Sequence, residues 1–140
     1  AGAALSLAGC LPVAPPQAGA GAVQALARPA QWTLTELMGK PLAPGNSAPW
    51  VRFDANSGRV QGFGGCNRFS GGFELAPGNR IRFSKMAATQ MACPDLDLET
   101  EFLRMLGSAD SYHLDGDALA LHRARMAPLA RFRAASDRQD

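Results

Sequence analysis

The sequence predicts a mainly β domain of the α+β class, a small closed antiparallel barrel with one α-helix inserted late in the chain. Apolar residues alternate with polar ones in short runs separated by turn residues, which is typical of half-buried antiparallel strands. One later segment changes to a period near 3.6 residues, which indicates the helix. Because closure removes exposed strand edges, about seven short strands at near-regular spacing favour a barrel over an open sheet.

The predicted strands before the helix follow from this alternation. Val51 and Phe53 share one face of their strand, whereas Arg52 and Asp54 share the other. The first strand is marked by Trp32, Leu34 and Leu37, and the next four are Trp50–Asp54, Arg59–Phe63, Asn67–Leu75 and Arg80–Ser84. Several glycines fall inside these patterns and indicate sharp bends of the sheet, namely Gly62, Gly64, Gly65, Gly71 and Gly72.

The predicted helix is amphipathic. Its apolar stripe consists of Leu98, Phe102, Met105 and Leu106. The helix macrodipole favours the acids expected in its first turn, which are Asp95, Asp97 and Glu99, and Gly107 is expected to end the helix. Three further strands are expected near Ser111–Leu114, Ala118–His122 and Pro128–Phe132, with a turn at Asp115–Asp117 between the first two.

The amino-terminal residues resemble a bacterial lipoprotein signal. Leu7-Ala8-Gly9-Cys10 resembles a lipobox, in which two small residues allow entry into a peptidase cleft and the cysteine thiol accepts the lipid. Residues 1–9 are accordingly expected to be the truncated end of a signal peptide. Leu11, rather than Asp, follows the cysteine, and by resemblance to Gram-negative lipoproteins this favours the outer membrane, facing the periplasm. An alanine-rich tail with a chance cysteine is the alternative interpretation.

Residues 10–30 are interpreted as the lipidated cysteine and a tether rich in Pro, Ala and Gly. Four prolines are expected to block helix and sheet there, namely Pro12, Pro15, Pro16 and Pro29. A flexible coil of this length has a root-mean-square reach of about 25 Å, enough to hold a domain clear of lipid headgroups. The folded domain is expected to span residues 31–134, and a polar tail residues 135–140.

Length and charge limit the function classes. The 140 residues suit one domain, and the net charge of +2 makes a nucleic-acid partner a poor expectation. No apolar run approaches the roughly 18 to 20 residues that a membrane-spanning helix needs. Two alternating basic faces are interpreted as solvated, with lipid or lipopolysaccharide phosphates as the alternative; they are formed by Arg80 with Arg82 and by Arg131 with Arg133.

The sequence predicts no catalytic residue, no metal site and no cofactor. The glycines near Phe63 precede no helix that could hold a phosphate, and no Gly-x-Ser-x-Gly elbow is present. Asp95 to Glu99 lacks the glycine of a calcium loop and is interpreted as a helix start. His113 and His122 could face each other on neighbouring strands, although two exposed imidazoles are the commoner arrangement.

Two motifs carry a family resemblance. The segment Gly65-Cys66-Asn67-Arg68-Phe69-Ser70-Gly71 is followed by Met86-Ala87-Ala88-Thr89-Gln90-Met91-Ala92-Cys93-Pro94, then by a helix and Leu119-Ala120-Leu121. In order and spacing these resemble the META domain of the HslJ family over residues 31–132. Gln90 departs from the arginine that the family often carries, so a role for that charge does not transfer to this chain.

The resemblance implies a lipocalin-like antiparallel barrel with a helix, a location in the cell envelope, and links to the heat-shock response and novobiocin resistance. It implies no known catalytic reaction. We therefore expect a lipid-anchored, non-catalytic accessory module that is attached to the membrane and either binds another envelope protein or supports the envelope under stress. The alternative is a carrier or pilot-like barrel that holds an acyl chain or a small apolar ligand.

The sequence contains three cysteines, of which one is the candidate lipidation site and two are a candidate pair. If Cys10 carries lipid, Cys66 and Cys93 remain as a pair in an oxidising compartment, where a disulfide is the natural interpretation. Two buried thiols that pack as small apolar groups are the alternative. Neither cysteine has a second cysteine or a histidine at zinc-ligand spacing, so zinc is not expected.

Overall fold

The computed structural model describes residue 2, residues 20–42 and residues 48–135. Within these ranges the chain forms two helices and ten strands. The helices are α1 (Ala20–Ala27) and α2 (Leu96–Ser108). The strands are β1 (Trp32–Leu37), β2 (Lys40–Pro41), β3 (Trp50–Asp54), β4 (Arg59–Phe63), β5 (Arg68–Ala76), β6 (Arg80–Phe83), β7 (Ala87–Ala88), β8 (Ser111–Asp115), β9 (Ala118–His122) and β10 (Ala130–Ala134).

Eight of these strands close into an antiparallel barrel, which confirms the predicted fold class. The hydrogen-bonded order runs β10, β9, β8, β6, β5, β4, β3, β1, and β1 then pairs with β10 to close the ring. The two-residue strands β2 and β7 attach beside β1 and β5. The β6–β8 junction is the weakest seam, since Arg80 opposite Ser111 is the single residue pair recorded there.

Aromatic side chains fill the barrel interior. The rings of Phe53 and Phe73 meet edge to face with centroids 4.9 Å apart. Phe102 from α2 links the two sides of the core, since its ring lies 5.9 Å from that of Phe69 and 6.2 Å from that of Phe132. Edge-to-face and tilted contacts of this kind stabilise a core beyond the burial of apolar area alone.

Helix α2 joins β7 to β8 and turns its predicted apolar stripe into this core. Phe102 and Leu106 have no exposed surface. The helix continues one residue past Gly107, and the backbone N–H of Ala109 donates to the carbonyl of Met105 at 3.0 Å. No helix in the described ranges is both long and apolar enough to cross a bilayer.

The prediction of a structureless tether is wrong for residues 20–27, because they form helix α1. The prediction of a single helix is wrong for the same reason. Leu26 is completely buried, and its carbonyl accepts a 2.8 Å hydrogen bond from Nε1 of the buried Trp32. The sequence of α1 is alanine-rich and contains no proline, so nothing in it blocks the helix, and Pro29 lies beyond its end. Pro12, Pro15 and Pro16 all precede the helix, so their effect on the backbone does not extend to residues 20–27.

Candidate functional site

A buried polar cluster lies where three segments meet: the link between β4 and β5, the link between β7 and α2, and the first turns of α2. Asn67 is 1% exposed and Glu99 is 4% exposed, and they are the two buried polar or charged residues of the described ranges. Because a buried carboxylate is costly unless it is fully hydrogen-bonded, the partners of Glu99 decide what this cluster does.

The Glu99 carboxylate accepts hydrogen bonds from the backbone and from an amide. Its Oε1 atom accepts the backbone N–H of Cys66 at 3.1 Å and also the backbone N–H of Asn67. Its Oε2 atom accepts Nδ2 of Asn67 at 2.7 Å. Hydrogen bonds to an ionised acceptor are stronger than neutral ones, so these three bonds hold α2 against the link between β4 and β5.

The Asn67 amide uses its full hydrogen-bonding capacity. Besides its bond to Glu99, Nδ2 donates to the carbonyl of Met91 at 3.0 Å. Its Oδ1 atom accepts Oγ1 of Thr89 at 2.8 Å and the backbone N–H of Met91 at 2.6 Å. Two donated and two accepted bonds satisfy a carboxamide. Asn67 therefore joins the segment before α2 to both β5 and the Glu99 carboxylate.

The Cys66–Cys93 disulfide closes the same junction covalently. The structure joins the two sulfurs at 1.95 Å with the Cα atoms 5.7 Å apart, across a sequence separation of 27 residues. This pairing agrees with the disulfide expected from the sequence. Cys66 directly precedes Asn67 in the chain, so the covalent bond and the polar cluster restrain the same turn.

Two glycines make room for the cluster. A Cβ atom on Gly64 would lie 2.6 Å from Cγ and 2.8 Å from Oε1 of Glu99, closer than real contacts allow. Gly65 has a φ of 116°, a conformation that side chains disfavour. The bends expected at these glycines are therefore present, and at Gly64 the missing side chain is also what admits the carboxylate.

The polar groups of the cluster bond to one another rather than to a vacant position. Among the described residues, no group of three or more His, Cys, Asp or Glu side chains is arranged to hold a metal ion. Glu99 has no histidine or nucleophilic hydroxyl among its recorded hydrogen-bond partners. The arrangement is suited to fixing the shape of the surrounding loops.

The two histidines lie on neighbouring strands but are not directly opposite each other. His113 pairs with Ala120 and His122 with Ser111, so they are diagonal neighbours on one face of β8 and β9. Cys10 lies outside the described residues, as do residues 1–9 apart from residue 2.

The two basic faces are exposed and partly ion-paired. An Arg82 nitrogen lies 3.6 Å from Oε1 of Glu74, and Nε of Arg131 lies 3.3 Å from Oε2 of Glu36. These contacts are on the outside of the barrel, where exposed ion pairs contribute little to stability. They support the solvated interpretation of both faces.

Sequence reasoning missed the inward orientation of Glu99 and Asn67, although a signal was present for each. Glu99 precedes Phe102 by three residues and Leu106 by seven, which places it on the apolar stripe of α2. Asn67 precedes Phe69 by two residues and so shares its inward face. A polar residue in register with a core stripe indicates a buried polar group that needs partners.

A surface cleft of about 610 Å³ lies at the weak β6–β8 seam. Its lining includes the partly buried Leu75 and the buried Ile81 together with the exposed arginines Arg80 and Arg123. The end of α2 also borders it, through Ser108 and neighbouring residues.

Comparison with known proteins decides the family. The family profile described as META domain matches residues 24–136. The chain belongs to the META domain family. This match begins inside α1 and so includes the part of that helix that packs on the barrel. The two segments that carried the resemblance are those that build the Asn67–Glu99 cluster and the disulfide.

Solved structures share the META barrel fold. A protein from Burkholderia xenovorans, solved by NMR, is 24% identical, with a TM-score of 0.63 and coverage of 88% of this chain and 92% of that chain. A second NMR structure is 22% identical, with a TM-score of 0.63 and coverage of 80% and 93%. A crystal structure of a DUF4847 family protein from Bacteroides vulgatus is 16% identical, with a TM-score of 0.59 and coverage of 84% and 99%. No curated protein sequence matches the chain.

Proposed function

We propose that this META protein is a lipid-anchored, non-catalytic accessory module of the bacterial cell envelope. Cys10 carries the lipid, the domain faces the periplasm from the outer membrane, and it binds another envelope protein during heat-shock or antibiotic stress. The observation that carries the proposal is the lipobox-like Leu7-Ala8-Gly9-Cys10 ahead of a META domain.

The disulfide supports the proposed compartment. Disulfides persist in the periplasm and are rare in the cytosol, where thiols are kept reduced. The Cys66–Cys93 bond restrains the turn that also holds Asn67, so the local fold depends on an oxidising environment.

The saturated polar cluster supports a non-catalytic role. A general acid or base has to reach a reacting atom, and a nucleophile needs an adjacent base. The Glu99 carboxylate is buried and its recorded bonds go to Cys66 and Asn67 alone. We assign it to holding the loops in shape.

Exposed apolar side chains beside the disulfide support a protein partner. Met91 is 59% exposed and Leu96 is 38% exposed, and they lie on either side of Cys93 in the chain. Met91 is held in place through its backbone by Asn67, and Leu96 is the first residue of α2, so both exposed side chains project from ordered backbone. Flexible methionine side chains suit a protein contact because they adapt to different surfaces.

Mass spectrometry of the protein from its native membrane tests the anchor. We expect a mature chain that begins at lipidated Cys10, and a Cys10→Ser variant that no longer partitions with membranes. An unmodified Cys10, or unchanged partitioning of the variant, would overturn this part of the proposal.

Cross-linking in intact envelopes tests the partner. A double variant, Met91→Gln with Leu96→Gln, is expected to lose a cross-link that the wild-type domain forms. The matched control is Met38→Gln with Met126→Gln, which changes methionines that are 53% and 60% exposed and lie elsewhere on the barrel. Equal loss in both double variants would contradict a partner at the disulfide loop.

The cleft at the β6–β8 seam favours the second candidate function, a carrier of an acyl chain. Its apolar and arginine lining would suit a fatty carboxylate, and its volume of about 610 Å³ is in the range of small-molecule sites. The filled core leaves the seam as the place where such a ligand would enter. Native mass spectrometry decides between the two functions, because a co-purifying lipid that is lost when the exposed Arg80 and Arg123 are both replaced by Gln would favour the carrier.

A further inference from the structure

The outer face of β3, β4 and β5 carries an aromatic and cationic cluster, here named the Trp50 patch. It consists of Trp50, Arg52, Phe63 and Arg68. The guanidinium carbon of Arg52 lies 5.4 Å from the centroid of the Trp50 ring, and that of Arg68 lies 5.9 Å from it. Both distances are within the range of a cation–π contact, so one indole ring attracts two cations.

Strand register builds the patch. Trp50 pairs with Phe63 across β3 and β4, and Phe63 pairs with Arg68 across β4 and β5. Paired residues project from the same face of a sheet, and Arg52 joins them because it is two residues from Trp50 on the same strand. Both arginines are exposed, whereas Trp50 and Phe63 are half-buried. The patch is therefore a fixed platform with its charges facing outward.

Among residues 20–42 and 48–135, neither Arg52 nor Arg68 forms an ion pair with a carboxylate. The ion pairs of the described residues involve Arg82 and Arg131 instead. Arg52 donates Nε to the carbonyl of Ala30 at 2.8 Å, which leaves its terminal nitrogens available for an anion. Two adjacent guanidinium groups without a neutralising acid are suited to phosphate, which accepts paired N–H donors.

The patch lies beside the segment that leads into β1, because β1 runs antiparallel to its neighbour β3. The hydrogen bond from Arg52 to Ala30 and the pairing of Trp32 with Val51 place it beside this segment. Nine residues lie between Cys10 and Ala20, so the ten steps from one to the other span no more than about 36 Å when fully extended. A lipid on Cys10 would hold this side of the domain near the bilayer.

We propose that the Trp50 patch docks on the surface of a phospholipid bilayer, with Arg52 and Arg68 binding lipid phosphates and Trp50 lying among the headgroups. Tryptophan is enriched at this level of membranes, and arginines near an anionic surface each strengthen binding. The inference deepens the proposed function and takes from it the lipid anchor that brings the patch to the bilayer. The contact orients the domain so that the opposite wall of the barrel faces the periplasm.

Vesicle binding by the full chain carrying Cys10→Ser tests the patch without the anchor. We expect sedimentation with phosphatidylglycerol vesicles, weaker binding to phosphatidylcholine vesicles, and quenching of Trp50 fluorescence by brominated lipid. Replacing both Arg52 and Arg68 by Gln is expected to weaken binding by about tenfold to thirtyfold. In Trp50→Phe the remaining Trp32 is 1% exposed, so quenching should disappear.

A matched pair of arginines on the opposite wall of the barrel, four strands from β4 in the ring, provides the control. Arg123→Gln with Arg125→Gln removes the same charge from the exposed loop between β9 and β10, and we expect less than a threefold loss. Equal weakening in the two double variants, or unquenched Trp50 in the bound wild-type protein, would overturn the proposal. Displacement by inorganic phosphate beyond that by chloride at equal ionic strength would also overturn it in favour of a free-anion site.

These outcomes are separate from the test of the anchor. A lipidated Cys10 together with an inert Trp50 patch would retain the proposed function and remove this inference. Thermal unfolding of each variant checks that the barrel is intact, and quenching in the wild-type protein requires no substitution in the patch.

Discussion

Oε2 of Glu99 accepts a 2.7 Å hydrogen bond from Nδ2 of Asn67, although 32 residues separate the two in sequence and both are buried. This contact joins the first turns of α2 to the start of β5. The neighbouring Cys66–Cys93 disulfide joins the same regions covalently. Asn67, Glu99 and the Cys66–Cys93 disulfide, all within or next to the META motifs, thus hold α2 against the start of β5.

Neutralising Glu99 should destabilise the domain. In Glu99→Gln an amide nitrogen replaces one oxygen, so either Asn67 Nδ2 or the backbone N–H groups of Cys66 and Asn67 lose an acceptor. We expect a loss of about 1–3 kcal/mol in the free energy of unfolding by urea under oxidising conditions. Glu101→Gln, at an exposed position of the same helix, is the control. Equal stabilities of the two variants would show that the buried carboxylate is dispensable.

Asn67 and Glu99 should be energetically coupled. A double-mutant cycle with Asn67→Ala and Glu99→Ala is expected to give an interaction free energy of about 0.5–3 kcal/mol, because each residue loses its partner when the other is removed. Chemical denaturation of the wild type, both single variants and the double variant provides the measurement. Additive losses would contradict a direct interaction.

Breaking the disulfide should lower the unfolding temperature. For a sequence separation of 27 residues, the chain-entropy relation assigns the bond about 3.6 kcal/mol. The variant Cys66→Ala with Cys93→Ala, and reduced wild-type protein, should both unfold well below the oxidised protein in calorimetry. The Cys10→Ser variant keeps the pair and is the control. An unfolding temperature that is the same with and without reductant would exclude a stabilising disulfide.

Adding a methyl group at Gly64 should displace the Glu99 side chain and destabilise the domain. In Gly64→Ala the new Cβ would meet Cγ of Glu99 at 2.6 Å, and overpacking of this kind costs about 1–3 kcal/mol. The control is Gly107→Ala, since its Cβ meets nothing within 4 Å and alanine favours a helix. We expect Gly64→Ala to lower the free energy of unfolding by urea and Gly107→Ala to raise it. An unchanged free energy of unfolding in Gly64→Ala would mean that Glu99 can move without loss of stability.

Tyr112, the only tyrosine of the sequence, lies on β8, and the pKa of its phenol depends on its burial. Burial raises the pKa of Tyr112 above its ordinary value of 10.0, because the phenolate loses solvation. The folded state holds the proton more tightly, so the resulting stability is present below pH 10 and is lost as the pH rises through the folded-state pKa. Ultraviolet titration of the tyrosinate should give a midpoint above 10 in folded protein and near 10 in urea. Tyr112→Phe should remove the corresponding loss of stability, and a midpoint that is the same in both states would contradict this burial effect.

The predicted strands agree closely with the structure because alternation is a local property. Trp50–Asp54 and Arg59–Phe63 have the predicted bounds, since a strand with one buried face requires a period of two. The stripe of α2 was predicted for the same reason. The short strands β2 and β7 were missed because two residues carry no readable period.

The sequence by itself determined the order of the strands, the amphipathic helix, the META motifs and the candidate disulfide, because these depend on residue type, spacing and cysteine count. Only the tertiary structure decided that α1 packs through Leu26, that Glu99 faces Asn67, and that two arginines meet at Trp50. Each of these contacts joins residues brought together by packing or strand register, so local periodicity can indicate a buried polar residue but cannot name its partner.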